Sequence, residues 1–154
     1  MVGTGRFQSI QVQRPCWSVP FKDTNPQCRP EALYKAVGQP EDGSRALLAF
    51  QSADGLRWQL VADKPILTQG AFDSQNLAFW DAVRQEYRCY FRDFRDGRDI
   101  RTATSSVFLH WTEPVFLDYP QGRVSELYTN QIAPYERAPH LLLGFPTRYI
   151  DRGW

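Results

Sequence analysis

A seven-residue stretch that ends in tryptophan occurs twice in this chain, and the spacing of the two copies limits the folds that the chain can adopt. The copies are SADGLRW at 52–58 and SSVFLHW at 105–111. Trp58 and Trp111 are 111 − 58 = 53 residues apart, which fits a repeated four-stranded sheet of about 40–50 residues, the unit of a β-propeller. Such sheets bury their faces against one another, and the channel that they surround is where a ligand binds.

Composition and charge exclude several classes of protein. Hydrophobic residues make up 42% of the chain and aromatic residues 14%, which is typical of a folded globular domain. Eighteen Lys and Arg residues oppose seventeen Asp and Glu residues without a basic block, so we expect no nucleic-acid partner. No apolar run approaches the roughly 20 residues of a membrane span. No Cys or His pair has metal-ligand spacing, so we predict neither a metal site nor a cofactor.

The N-terminal residues bear on the cellular compartment of the protein. The start, MVGTGRFQSIQVQRPCW, contains one early Arg but no continuous apolar segment and no small-residue cleavage site, so it does not resemble a secretory signal. The chain as it stands is expected in the cytoplasm. A secreted or periplasmic protein would require further residues before Met1.

Short strands separated by turn residues account for most of the chain. The second unit, about 72–119, has the clearest pattern. Its predicted strands are NLAFWD at 76–81, EYRCYFRDF at 86–94, DIRTATS at 99–105 and HWTEPVFLD at 110–118. Asp96-Gly97 supplies the turn between the second and third of these strands. We therefore predict one complete four-stranded propeller blade over this unit.

Two further units flank this blade. The first, about 20–68, contains ALYKAV from Ala32, RALLAFQS from Arg45 and RWQLVADKPIL from Arg57, with a turn at 41–43. The third, about 124–154, contains LYTNQIAPY and HLLLGFPTRYI. We therefore predict a single incomplete domain over 1–154, about two and a half blades of an all-β propeller. The remaining blades are expected in a longer parent chain, because propellers protect sheet edges by closing the ring. A small β-sandwich built from the same strands is the alternative fold.

One carboxylate precedes an Asn at the start of each unit. The segments are FKDTN at 21–25, FDSQN at 72–76 and SELYTN at 125–130. Strand heads converge on the axis of a propeller, so we expect Asp23, Asp73 and Glu126 to face a common pocket. Clustered carboxylates shift one another's pKa values apart, which leaves one as an acid and another as a base. Cleavage of a glycosidic bond requires that division of roles. The structural alternative is that each of these side chains caps a local turn.

The chain resembles a known family through these motifs taken together. The combination of FKDTNP, SADGLRW, FDSQNLAFWD, YFRDFRDG, SSVFLHW and SELYTN is similar to the five-bladed β-propeller glycoside hydrolases of families 32 and 43. The resemblance extends from about Phe21 onward and ends inside the third blade. It implies hydrolysis of oligo- or polysaccharides, with a calcium ion on the axis as an option that no residue pattern indicates.

The resemblance also implies roles for individual side chains. Asp23 matches the base or nucleophile, Asp73 the residue that stabilises the transition state, and Glu126 the acid. Arg92-Asp93 resembles the Arg-Asp pair of the invertase branch, so Asp93 competes with Asp73. By analogy with the arabinanase branch, we expect a single-step inverting reaction, which needs about 6.5–9.5 Å between the two carboxyl groups.

Four further side chains are candidates for binding the sugar. Asn76 lies at the head of an inner strand, and Trp80 on that strand is a stacking candidate, with core packing as the alternative. His140 is the reserve acid if Glu126 lies elsewhere, with a structural role as the alternative. Arg137 offers a fork of donors for a hydroxyl or carboxylate. The rival functions are a carbohydrate-binding propeller without catalysis and a protein-interaction propeller.

Overall fold

The computed structural model describes Cys16, residues 18–123 and residues 125–153. These residues form an all-β protein with several antiparallel sheets, all of them open, and one short 3-10 helix at Pro30–Ala32. The strands in chain order are β1 Ser18–Val19, β2 Phe21–Lys22, β3 Tyr34–Gly38, β4 Leu48–Ser52, β5 Gln59–Leu60, β6 Asn76–Asp81, β7 Glu86–Phe94, β8 Arg98–Ser105, β9 Val115–Phe116, β10 Glu126–Leu127, β11 Ala133–Tyr135, β12 Ala138–Leu143 and β13 Arg148–Tyr149. No helix among these residues is long and apolar enough to cross a membrane.

The first sheet is an antiparallel meander of β2, β3, β4 and β5. β3 pairs with β4 from Tyr34↔Ser52 to Gly38↔Leu48. The turn between them contains Gly43, whose φ is 74°, and the Asp42 carboxylate accepts a hydrogen bond of 2.8 Å from the Ser44 N–H. The predicted turn at 41–43 therefore forms through local side-chain chemistry.

The second sheet contains the predicted four-strand unit in the order β6, β7, β8, β9. β6 and β7 have the predicted bounds, and β8 begins one residue earlier than expected, at Arg98. The fourth strand is much shorter than predicted, because only Val115–Phe116 pairs with β8 and Pro114, which precedes it, has no N–H to donate. β1 adds a fifth strand parallel to β6, which the sequence analysis did not anticipate.

The two tryptophan-ending stretches form equivalent loops in successive sheets. Each begins at the last residue of a third strand, where a serine Oγ accepts backbone N–H groups: Ser52 from Gly55 at 2.9 Å and Ser105 from Val107 at 3.3 Å. The fourth residue of each loop has a left-handed backbone, with φ of 76° at Gly55 and 67° at Phe108. The indole N–H of each Trp then donates to the carbonyl of that residue, at 3.1 Å in the first loop and 3.0 Å in the second. The sequence repeat is therefore a structural repeat.

Replacing Gly55 with Ala is expected to lower the free energy of unfolding by about 1 kcal/mol, because an L side chain rarely adopts a positive φ. A Cβ at this position would meet the Tyr34 ring at 3.6 Å, an ordinary contact, so the cost comes from the backbone. Gly55→Asn is the control, since Asn tolerates the left-handed region better. If urea unfolding shows that Gly55→Ala and Gly55→Asn lower the free energy of unfolding equally, this explanation is contradicted.

The third unit consists of two separate two-stranded antiparallel sheets, β10 with β13 and β11 with β12. Leu127 pairs with Arg148 in the first of them, and Pro134 pairs with Leu142 in the second. Several apolar side chains on this unit are exposed, including Leu141, Leu143 and Phe145. The third unit is therefore less covered than the first two sheets.

The second sheet buries both of its faces. Tyr87, Cys89 and Phe91 alternate along β7 and join a core that includes residues of the first sheet such as Val37 and Leu47. On the opposite face, Leu77, Tyr90 and Ile100 form another cluster, against which Leu127, Ile132 and Leu142 of the third unit pack. This period-2 alternation stacks the first sheet, the second sheet and the third unit face to face.

Candidate functional site

Asp73 lies just before β6 and forms an ion pair with Arg92, near the end of β7. The Asp73 side chain is 63% exposed, whereas that of Arg92 is 4% exposed. The loop before β6, which contains Asp73, is fixed by the buried Asn76 amide, which donates to the carbonyls of Phe72 at 2.7 Å and Ser74 at 3.0 Å. The carboxylate therefore faces solvent while its cationic partner is held inside the protein.

The Arg92 guanidinium is placed by two aromatic rings. Its Cζ atom lies 5.1 Å from the centroid of the Phe94 ring and 5.1 Å from that of Tyr128. Cation–π contacts at this distance attract the guanidinium to both rings and limit its movement. Because the guanidinium is held in this way, it orients the Asp73 carboxylate.

Hydrogen bonds join the loop before β6 to the corresponding loop of the third unit. The Ser74 hydroxyl donates to the Tyr128 carbonyl at 3.0 Å. The Gln75 Oε1 accepts the backbone N–H groups of Asn130 at 3.2 Å and Gln131 at 3.1 Å. A cavity of about 290 Å³ beside these loops is lined by Ser18, Val19, Ser74, Gln75, Tyr128 and Thr129. The loop before β6 and the loop before β11 are thus joined at this end of the sheets.

Glu126 is held by Arg98 at the start of β8. Its Oε2 accepts the Arg98 backbone N–H at 2.9 Å and a guanidinium N–H at 3.1 Å. The Arg98 guanidinium also stacks on Tyr149, with 3.5 Å between Cζ and the ring centroid. These hydrogen bonds, the backbone one first, lower the pKa of Glu126. A low pKa keeps the carboxyl ionised at neutral pH, which opposes its predicted role as the acid.

Glu126 is expected to titrate below its ordinary value of 4.5. Because the pKa is lowered in the folded state, its hydrogen bonds stabilise the protein above pH 4.5 and this contribution is lost as the pH falls through the lower folded value. Carboxyl ¹³C NMR measures the midpoint directly. Arg98→Met should raise it part of the way, since the backbone N–H remains. A wild-type midpoint above 4.5 would contradict the assignment and restore Glu126 as an acid.

Asp23 lies in a different environment, fully buried between the first and second sheets. Its carboxylate forms an ion pair with Lys35, accepts the Tyr87 hydroxyl at 2.7 Å and accepts the Asn25 N–H at 2.9 Å. Burial and the hydrogen bond to Asp23 raise the pKa of Tyr87. Asp23 therefore belongs to a satisfied buried network.

The structure does not bring the three predicted carboxylates together. Tyr87, which binds Asp23, and Phe94, which pairs with Arg98 beside Glu126, are 94 − 87 = 7 residues apart on β7. Seven residues of extended strand span about 23 Å. Asp23 and Glu126 thus lie at opposite ends of the second sheet, too far apart for the acid and base of a single-step inverting reaction. The expectation of a common pocket is therefore wrong for Asp23. The reason is that Asp23 follows its strand, β2, whereas Asp73 precedes its strand, β6. The two residues therefore lie at opposite ends of the sheets.

The other candidates are dispersed. Trp80 packs edge-on against Tyr87, with ring centroids 4.9 Å apart, next to the core. Asp93 forms an ion pair with Arg101 at 3.1 Å, whereas its neighbour Arg92 forms one with Asp73. Arg137 and His140 are exposed in the third unit, His140 on β12 and Arg137 just before it.

Sequence reasoning missed the aromatic partners of Arg92. Arg92 and Phe94 lie two positions apart on β7 and therefore on the same face. That alternation was a usable signal for Phe94. Tyr128 meets them only through the packing of the third unit, for which the sequence gives no local sign.

No group of three or more His, Cys, Asp or Glu side chains arranged to hold a metal occurs in the described part of the chain. The chain matches no known protein family, no curated protein and no solved structure.

Proposed function

We propose that this chain acts on carbohydrate as part of a glycoside hydrolase-like, five-bladed β-propeller, and that Asp73 is the carboxylate that contacts the sugar. The observation that carries the proposal is the exposed Asp73 carboxylate held by the buried Arg92 between two aromatic rings. Carboxylates accept hydrogen bonds from sugar hydroxyls, and adjacent aromatic faces suit the apolar faces of sugar rings.

Two features of the fold support a propeller. The first sheet is a four-stranded meander, the second sheet contains another in β6 to β9, and the two have equivalent Ser-to-Trp loops. The second sheet also packs face to face with the first sheet and with the third unit. A ring of five such blades needs further sheets, which the proposal assigns to a longer parent chain.

The three predicted catalytic carboxylates have different roles in this proposal. Asp73 and Glu126 share one surface, linked through Arg92, Phe94 and Arg98, because both guanidinium groups lie over the Phe94 ring. Asp23 is given a structural role in the buried network. In the hydrolytic reaction Asp73 accepts a proton from the attacking water, and Glu126 in its protonated form gives a proton to the leaving oxygen.

A carbohydrate-binding propeller without catalysis is the second candidate. The lowered pKa of Glu126 favours it, because this carboxyl is a poor proton donor at neutral pH. The two candidates share the same sugar contacts and differ only in turnover.

The test is binding and turnover by the 154-residue chain. We expect neutral xylo-, arabino- or fructo-oligosaccharides to shift the NMR signals of residues around Asp73 and Tyr128. Asp73→Asn and Tyr128→Ala should each weaken binding about 10-fold, equivalent to about 1.4 kcal/mol. Asp63→Asn, which removes an exposed carboxylate from the first sheet's loop, is the matched control and should leave affinity unchanged.

Nitrophenyl glycosides distinguish the two candidates. Release of nitrophenol that falls at least about 100-fold in Asp73→Asn would support hydrolysis. Binding without release would support the non-catalytic propeller. An absence of binding to all three classes of oligosaccharide would contradict both.

A further inference from the structure

A thiol and an amine lie in contact beside a cavity at the end of the sheets remote from Asp73. The cavity has a volume of about 270 Å³, and its lining includes Cys28, Lys35, Gln51, Tyr87 and Ser106. Cys28 is half-buried, so the cavity gives small solutes access to its sulfur. Neither Cys28 nor Lys35 is part of the proposed sugar site.

Several contacts hold the Lys35 amine next to the Cys28 sulfur. Its Nζ lies 3.4 Å from Cys28 Sγ and donates to the Ala32 carbonyl at 3.0 Å. It also forms the ion pair with Asp23 and lies 5.8 Å from the centroids of the Tyr87 and Phe108 rings. The Lys35 side chain is only 9% exposed. The amine is thus fixed next to one sulfur atom.

We propose that Cys28 and Lys35 form a reversible covalent S–N cross-link when the protein meets hydrogen peroxide. Peroxide oxidises the Cys28 thiol to a sulfenic acid and releases one water. The Lys35 amine then attacks the sulfur, the S–N bond forms, and the S–O bond breaks with loss of a second water. The net reaction consumes one thiol, one amine and one peroxide and yields one sulfenamide and two waters.

Asp23 supplies the base that this step requires. Its carboxylate lies against the Lys35 ammonium and takes the proton that must leave before the nitrogen can attack. The buried ion pair is then replaced by a neutral sulfenamide and a neutral carboxyl group. No uncompensated charge remains in the buried network, which is the usual obstacle to losing one member of such a pair.

The reaction is expected to be faster in mildly alkaline solution. Burial, followed by the hydrogen bond and charge of Asp23, raises the pKa of Cys28. Since the thiolate is the form that reacts with peroxide, and its fraction rises almost tenfold per pH unit below a pKa raised above 9.0, oxidation of Cys28 should be at least about 50-fold faster at pH 9 than at pH 7.

Mass spectrometry of the full chain after peroxide treatment tests the proposal. The intact mass should fall by two hydrogens, and dithiothreitol should restore it. Trypsin does not cleave a modified lysine, so digestion without reductant should give peptide 23–45, uncut after Lys35 and two hydrogens lighter than its sequence requires. Cys28 carrying two or three added oxygens, with normal cleavage after Lys35, would overturn the proposal.

Two variants separate the cross-link from other thiol oxidation. Lys35→Arg keeps a cation beside Asp23 but has no amine that attacks sulfur, so Cys28 should acquire oxygens instead of losing hydrogens. Cys16→Ser should still give the cross-link. If Cys16→Ser abolishes the loss of two hydrogens, the product is a disulfide and the proposal fails. The wild-type peptide decides the outcome even if Lys35→Arg does not fold.

Discussion

Replacing Lys35 with Met is expected to lower the free energy of unfolding by about 3–5 kcal/mol. The variant removes the cation that pairs with Asp23, whose side chain is 0% exposed, and leaves a buried carboxylate with two neutral donors, the Tyr87 hydroxyl and the Asn25 N–H. Removing one partner of a buried ion pair has this cost because the remaining charge is neither solvated nor compensated. Urea unfolding followed by tryptophan fluorescence measures the loss.

A double variant checks that the cause is the charge. Lys35→Met with Asp23→Asn leaves no buried charge, so it should recover most of the stability lost by Lys35→Met alone. Arg57→Met is the matched surface control, because the Arg57 side chain, paired with Asp54, is 92% exposed and exposed pairs contribute little. A double variant as unstable as the single one would show that Lys35 acts through packing.

Phe91→Ala is expected to cost about 3–5 kcal/mol through the cavity that it leaves. Phe91 is 0% exposed and lies at the centre of the core between the first and second sheets. Its ring packs against Phe72 in the loop before β6, with centroids 5.0 Å apart, and belongs to the same buried cluster as Val37 and Ala49 of the first sheet, so truncation leaves a cavity between the two sheets. Thermal unfolding should show a Tm lower by roughly 10 °C, since about 1 kcal/mol shifts Tm by 2–4 °C at this chain length.

Leu56→Ala is the control for Phe91→Ala. Leu56 is 84% exposed at the tip of the first Ser-to-Trp loop, and truncation there should change stability by less than about 0.5 kcal/mol. A small effect of Phe91→Ala would mean that the two sheets do not share the core described above.

The Ser-to-Trp repeat illustrates how much local sequence can predict. A serine that accepts backbone N–H groups, a left-handed fourth residue and a Trp that donates back to it are all interactions within seven residues. The second loop forms although Phe108 replaces the glycine of the first, because the Phe108 ring is buried in the core. Tertiary packing there outweighs the backbone cost of a positive φ.

The candidate site shows what local sequence does not predict. The place of Asp73 before an inner strand makes it a candidate for the site, and the structure shows its side chain exposed and paired with Arg92. Asp23 has a similar local sequence but follows its strand, so it meets Lys35 and Tyr87 at the other end of the sheets. A motif compared by sequence spacing alone does not record which end of a strand it occupies.

The amino-acid sequence by itself determined the all-β class, the bounds of β6 and β7, and the turns at 41–43 and 96–97, because period-2 alternation and turn residues act over a few neighbouring positions. Only the tertiary structure decided which charges meet: Asp73 with Arg92 beside Tyr128, Glu126 with Arg98, and Asp23 with Lys35. Those partners are separated by 12 to 28 residues in the chain. Their contacts depend on the register and stacking of whole sheets, which no single strand encodes.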